Sequence, residues 1–135
     1  PEDRMKNGKP HREPLSDEAI KFLLELKSET TGNLKSILIF KSPYKHVKLS
    51  DMAMLEALKH LRPGVTVHGF RSSFRQWAAE QTNHGHHVCE MALAHTVLTN
   101  VESAYQRSDL IDKRRDLMAD WSNFIRGNCK NSSPL

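Results

Sequence analysis

The sequence predicts a mainly helical domain with a small N-terminal β-hairpin, and three observations carry that reading. Apolar residues recur at three- and four-residue steps along several stretches. Serine, threonine and glycine stand where those stretches start and stop, and one Asn-Gly dipeptide near the start is a hairpin-turn signal. At 135 residues the chain is long enough for one domain with a real core. Residues 1–127 are read as that domain and 128–135, NCKNSSPL, as a polar tail expected to be disordered.

In chain order, Asn7-Gly8 suits a type I′ turn, in which both central residues take positive φ. Its flanks, Arg4-Met5-Lys6 and Lys9 to Leu15, alternate only weakly, so the expectation is a short basic hairpin with Lys6 just before the turn. Ser16 with Asp17 and Glu18 opens a first helix, DEAIKFLLELKSE, whose Ile20, Leu23, Leu24 and Leu26 are offered for burial, and Thr31-Gly32 ends it. ILIF, residues 37–40, reads as a short buried strand or extended segment. Ser50 opens a second helix, DMAMLEALKHL, which stops at Arg62-Pro63-Gly64. A third runs from about Thr66 to Glu80 or Gln81 and carries HGFRSSFRQW, with His68 and Arg71 on one face and Phe70, Phe74 and Trp77 on another. HHVCEMALAH is a short fourth helix. Thr99 and Glu102 match a capping box for a brief fifth helix through Tyr105. Ser108 caps a long last helix, DLIDKRRDLMADWSNFIRG, which ends at Gly127. Leu110, Leu117, Trp121 and Ile125 form its apolar stripe, with Met118 and Phe124 alongside.

Lys+Arg number 20 and Asp+Glu 16, a net charge of +4, which suits a nucleic acid or another polyanion as partner. Cys89 and Cys129 have no metal-ligand spacing and read as reduced thiols of an intracellular protein. No apolar run is long enough to cross a membrane and no signal-peptide pattern opens the chain, so a cytoplasmic protein is expected. The opening PEDRMKNGKPHREPLS has neither a helix start nor a methionine at its head. It reads as the middle of a structure, and the chain is expected to be a piece of a longer one.

Five residues share a chemistry: Lys6, His68, Arg71, His95 and Tyr105. A tyrosine that attacks phosphorus needs cations beside it, because negative charge builds on the phosphoryl oxygens in the transition state. Arginine grips one phosphate with two hydrogen bonds, histidine donates a hydrogen bond or accepts the phenolic proton, and lysine can protonate a leaving alkoxide. Taken singly, each has a commoner structural reading: a surface histidine, a packed tyrosine, a solvated turn lysine. Taken in order, they form the inventory of a metal-free phosphoryl transfer. HGHH at 84–87 has a spacing unlike closed zinc sites and reads as a polar loop. The Lys113-Arg114-Arg115 run is either a phosphate-contacting patch or, as is more usual on a long amphipathic helix, a solvated face.

HGFRSSF, LAHTVLTNVESAYQRSD and KRRDLMADW, in that order and spacing, resemble the C-terminal catalytic domain of tyrosine recombinases. The likeness is greatest to the integrases of prophages and genomic islands. RMKNGKPHREPLS resembles that family's basic-tipped β-hairpin, usually closed by VPLS, and the likeness covers residues 4 to 125. The resemblance implies site-specific integration and excision of a mobile element through a 3′-phosphotyrosine on Tyr105. It implies Arg71 and His95 on the non-bridging oxygens, His68 in proton transfer and phosphate positioning, and Lys6, or Lys9 by a slip of the loop, as general acid. Lys9, Arg12, Arg75 and Arg107 are expected to contact DNA. No metal or other cofactor is implied. The partners implied are double-stranded attachment-site DNA, three further copies in a tetramer on DNA, and accessory DNA-bending proteins, with no membrane.

Two departures stand out. The family's other catalytic arginine, upstream of the hairpin, has no counterpart here, so the isolated chain is expected to be inactive or weakly active. Glu13 replaces an apolar residue and is expected at an exposed edge. A non-catalytic DNA-binding module of the same fold and a helical protein-interaction domain are the alternative readings. A type IB topoisomerase would share the chemistry, but the LAH and YQRSD wording fits integrases better.

Overall fold

The computed structural model describes residues 3, 5, 8, 10–28, 39–40, 42, 48–95 and 108–127. These contain five helices: α1 (Asp17–Ser28), α2 (Ala53–Leu61), α3 (Val67–Gln81), α4 (His86–Ala92) and α5 (Ile111–Ile125). The brief helix expected through Tyr105 and the polar tail lie outside the described residues. Two compact units are formed, one from Glu18 to Ser73 and one from Pro1–Asp17 with Phe74–Leu135, and the boundary falls within α3. No described helix is long and apolar enough to cross a membrane.

The expected hairpin is not formed among the described residues. Gly8 takes a φ of +63° and donates its N–H to the Met5 carbonyl at 3.0 Å, but residues 10–16 carry no strand. Pro10 and Pro14 each remove an N–H that a returning strand would need for pairing, and the weak alternation supplies no apolar face to compensate. Arg4, Lys6, Asn7 and Lys9 lie outside the described residues.

In the Glu18–Ser73 unit no described residue is fully buried. On α1, Ala19, Leu23 and Leu26 form a half-buried stripe at helical spacing, while Ile20 and Leu24, expected inside, are exposed along with Phe22. Ile37 and Leu38 lie outside the described residues. Ile39 and Phe40 are exposed in a bend rather than buried in a strand, since a short apolar run is covered only where another element packs on it. Helix α2 starts later than Ser50 implies: Met52 is its N-cap, with no side-chain cap, and the Ser50 backbone carbonyl accepts from Ala53 N at 3.1 Å. Its stop is as expected, with the Arg62 N–H on the Leu58 carbonyl at 2.8 Å and Gly64 at φ +85°. Thr66 then caps α3, its Oγ1 accepting from Gly69 N at 3.0 Å. A Cβ at position 69 would lie 3.2 Å from that same Oγ1, so glycine lets the cap sit close.

The core lies in the other unit. Phe74, Trp77 and Ala78 of α3, Val88 and Cys89 of α4, Leu93 and Leu117 are buried together, with Leu110, Met118, Trp121 and Phe124 packed against them. Helices α4 and α5 pack on each other. Four aromatic rings share the centre. Trp121 meets Phe74 edge-on at 5.4 Å, Trp77 at 5.0 Å and Phe124 in a stack at 5.5 Å. Phe70 was expected with Phe74 and Trp77 but is exposed, as is Ile125 at the end of α5, because each stands on the outer side of its helix at the limit of the apolar stripe. Leu110, at φ +50°, is the N-cap of α5 and has no side-chain cap. Ser108 Oγ accepts from Leu110 N at 3.2 Å, one step short of capping the helix itself. At the other end Gly127, at φ +70°, closes the helix by donating to the Phe124 carbonyl at 3.0 Å, as its position implied.

Candidate functional site

His68 and Arg71 stand on the exposed part of α3 within the Glu18–Ser73 unit, three residues apart and so on one face. His95 lies in the other unit, immediately after α4, and the way the chain reaches it is specific. The end of α4 is a Schellman turn: Ala94 N donates to the Met91 carbonyl and His95 N to the Glu90 carbonyl, both at 3.0 Å. The residue at the left-handed position is Ala94, φ +53°, where glycine is usual. Ala94→Gly is therefore expected to raise stability by roughly 0.5–1 kcal/mol, read as a higher urea midpoint with unchanged slope.

Glu90 holds His95 a second time. Its Oε2 accepts from His95 Nδ1 at 2.7 Å, while its Oε1 accepts from Arg75 Nε. Burial pushes the Glu90 carboxyl up, but hydrogen bonds from His95 and Arg75 and the charges on both outweigh it and hold the group below the ordinary glutamate range. An ionised carboxylate only accepts, so Nδ1 carries the proton and the ring plane is set. Arg75, expected on DNA, is thus engaged by a carboxylate.

The segment after the proline-rich start meets the start of α5 in the same unit. Arg12, also expected on DNA, donates from Nε and Nη2 to Asp109 Oδ2 at 2.9 and 2.6 Å, and this lowers the Asp109 pKa first of all. Glu13 is exposed, as expected, but it is not without partners. It accepts from His11 at 2.9 Å and from Arg114 Nη1 at 3.4 Å, and burial raises its pKa against the pull of both partners. Arg114 is the largest surprise. Read as part of a solvated run, it is 1% exposed, and it donates from Nε to the Asp109 backbone carbonyl at 2.9 Å. Lys113 and Arg115 on either side are exposed. The missed signal was periodicity: Arg114, Leu117 and Trp121 recur at steps of three and four, so the apolar stripe runs through the arginine. Glu90 gave no such signal, because a five-residue step to His95 is not a shared helix face and closes only through the turn.

The HGHH stretch is not a free polar loop. His84 Nε2 lies 2.8 Å from Asp120 Oδ2, His86 and His87 open α4, and the buried His87 Nε2 has no hydrogen-bond partner. Among the described residues no three His, Cys, Asp or Glu side chains are placed to hold a metal. Cys89 is a free thiol in the core whose pKa burial raises. Lys6, Lys9, Tyr105 and Arg107 lie outside the described residues.

No family model and no solved structure matches the chain. Among curated proteins it is 33% identical over 129 residues to the prophage integrase IntA of Escherichia coli K12, a match covering 93% of this chain and 30% of that protein. It is 28% identical to the prophage integrase IntZ of the same strain, over 93% of this chain and 31% of that protein. It is also 28% identical to the integrase of Shigella phage Sf6, over 90% of this chain and 31% of that protein. The chain thus spans about 30% of the length of these relatives. Across about nine-tenths of its own length, the chain is similar to prophage and phage integrases.

Proposed function

We propose that residues 1–127 are the catalytic portion of a tyrosine recombinase that integrates or excises a mobile element. The observation that carries this reading is the order His68-x-x-Arg71, His95, Tyr105 in a chain related to integrases, with His95 held at its helix end by Glu90. Tyr105 Oη attacks the scissile phosphorus. A tyrosine–phosphorus ester forms, the bond from phosphorus to the 5′-oxygen breaks, and the DNA 3′ end stays on the protein. His68 accepts the phenolic proton, and Lys6, or Lys9 in its place, gives a proton to the departing 5′-oxygen. Arg71 and His95 donate to the two non-bridging oxygens, whose charge grows as the fifth oxygen approaches. A 5′-hydroxyl from the partner strand reverses these steps and rejoins the DNA. One phosphoester replaces another at every stage, so no nucleotide is consumed.

In this reading the protein acts in the cytoplasm as a tetramer on duplex attachment sites, with accessory DNA-bending proteins. The chain spans about 30% of the length of its relatives, so this activity is proposed for the full-length protein. The test offers nicked suicide duplexes bearing candidate attachment-site DNA to that protein and looks for a denaturation-resistant adduct joined to the 3′-phosphate end at the break. An adduct is the expected result. Salt-sensitive DNA binding without any adduct would instead favour the non-catalytic DNA-binding module.

A further inference from the structure

We propose that Glu90 is a positioning residue for strand cleavage, acting through His95; this rests on the recombinase reading above. Three observations converge on it. Glu90 grips His95 at two places, its backbone carbonyl on the His95 N–H at 3.0 Å and its carboxylate on Nδ1 at 2.7 Å. The side chain of Glu90 is 13% exposed and that of His95 46% exposed, so the carboxylate is the more deeply covered member of the pair. The chain also takes the left-handed region at Ala94, a position glycine would fill at lower cost, to deliver His95 to that carboxylate.

The physics of the arrangement is that of an outer carboxylate on a working histidine. A carboxylate on Nδ1 orients the ring, keeps the proton on that nitrogen, and stabilises positive charge when the ring donates from its other nitrogen to a phosphate oxygen. Arg75 completes the arrangement from α3. Its Nε holds the second carboxylate oxygen, so the carboxylate cannot rotate about its terminal bond without losing a charged hydrogen bond. In this proposal Arg75 acts on Glu90, and its removal should leave the salt dependence of DNA binding unchanged.

The test uses the full-length protein and a suicide duplex, with DNA affinity and single-turnover adduct formation measured separately. Glu90→Gln keeps the shape of the side chain but not its charge. It is expected to slow adduct formation about 10–100-fold, as loss of an outer carboxylate on a working histidine does, with DNA affinity changed less than about twofold. In a His95→Gln background the same substitution should cost nothing further, because its effect passes through the ring. In wild type, the nitrogen-15 signals of the histidines should show His95 with its proton on Nδ1, and Glu90→Gln should remove that preference. An unchanged cleavage rate in Glu90→Gln, or an equal loss with and without His95, overturns the proposal while wild type still forms adduct. Absence of adduct in wild type overturns the recombinase reading itself.

Discussion

Arg114→Ala is expected to cost the fold about 3–5 kcal/mol, the range for removing one partner from a buried ionic cluster. The side chain is 1% exposed and donates to a backbone carbonyl, so alanine leaves a void, an unpaired Asp109 oxygen and a half-covered Glu13 carboxylate with one cation fewer. Arg114→Met should restore part of the volume and recover only part of the loss. Combining it with Glu13→Leu, which also removes the abandoned charge, should recover more than either change suggests alone. Burial holds the Glu13 pKa above its ordinary value, so ionising Glu13 opposes folding. Its favourable contribution is complete below the unfolded pKa and is lost as pH rises through the folded one. Removing Arg114 takes away one of the influences that lower that pKa, so the Arg114→Ala deficit should be smaller in acid than at neutral pH. Urea unfolding of the variants at both pH values measures this directly.

The second large effect concerns chemistry. Tyr105→Phe removes the oxygen that would bond to phosphorus and is expected to abolish the adduct at unchanged DNA affinity. An adduct surviving in Tyr105→Phe would end the assignment. Arg71→Ala should leave the nucleophile intact but slow single-turnover cleavage about 10²–10³-fold, the usual cost of losing one donor to transition-state charge. Arg71→Lys should regain little of this, because an ammonium cannot present two parallel N–H groups to one phosphate.

Much of the helical framework was legible in the sequence because its boundaries are local chemistry. Thr66 caps α3 through its own hydroxyl, Gly127 supplies the positive φ at the end of α5, and Arg62-Pro63-Gly64 stops α2. The packing of Phe74, Trp77, Leu117 and Trp121 followed from their spacing. The misreadings share a cause: each depended on a residue distant in sequence or on a turn that spacing does not encode. Arg114 looks like a surface cation until Glu13 and Asp109 are brought to it. Phe70 continues an aromatic face in sequence but is exposed in the structure. At the site, His95 was found at its helix end, whereas the carboxylate that orients it emerged only with the backbone geometry of residues 90–95.

The contacts of Arg114 and Arg12 also bear on how the molecule folds. Arg114 reaches Glu13 across 101 residues of chain, and Arg12 reaches Asp109 across 97. Closing a flexible loop of that length costs about 4 kcal/mol of chain entropy before any contact returns it. Helices α4 and α5 can form and associate through shorter loops, but Arg114 then waits, partly dehydrated, for the N-terminal segment to arrive. Seating of residues 11–13 is therefore expected to be a late step in folding, one that completes the ion pairing of Arg114.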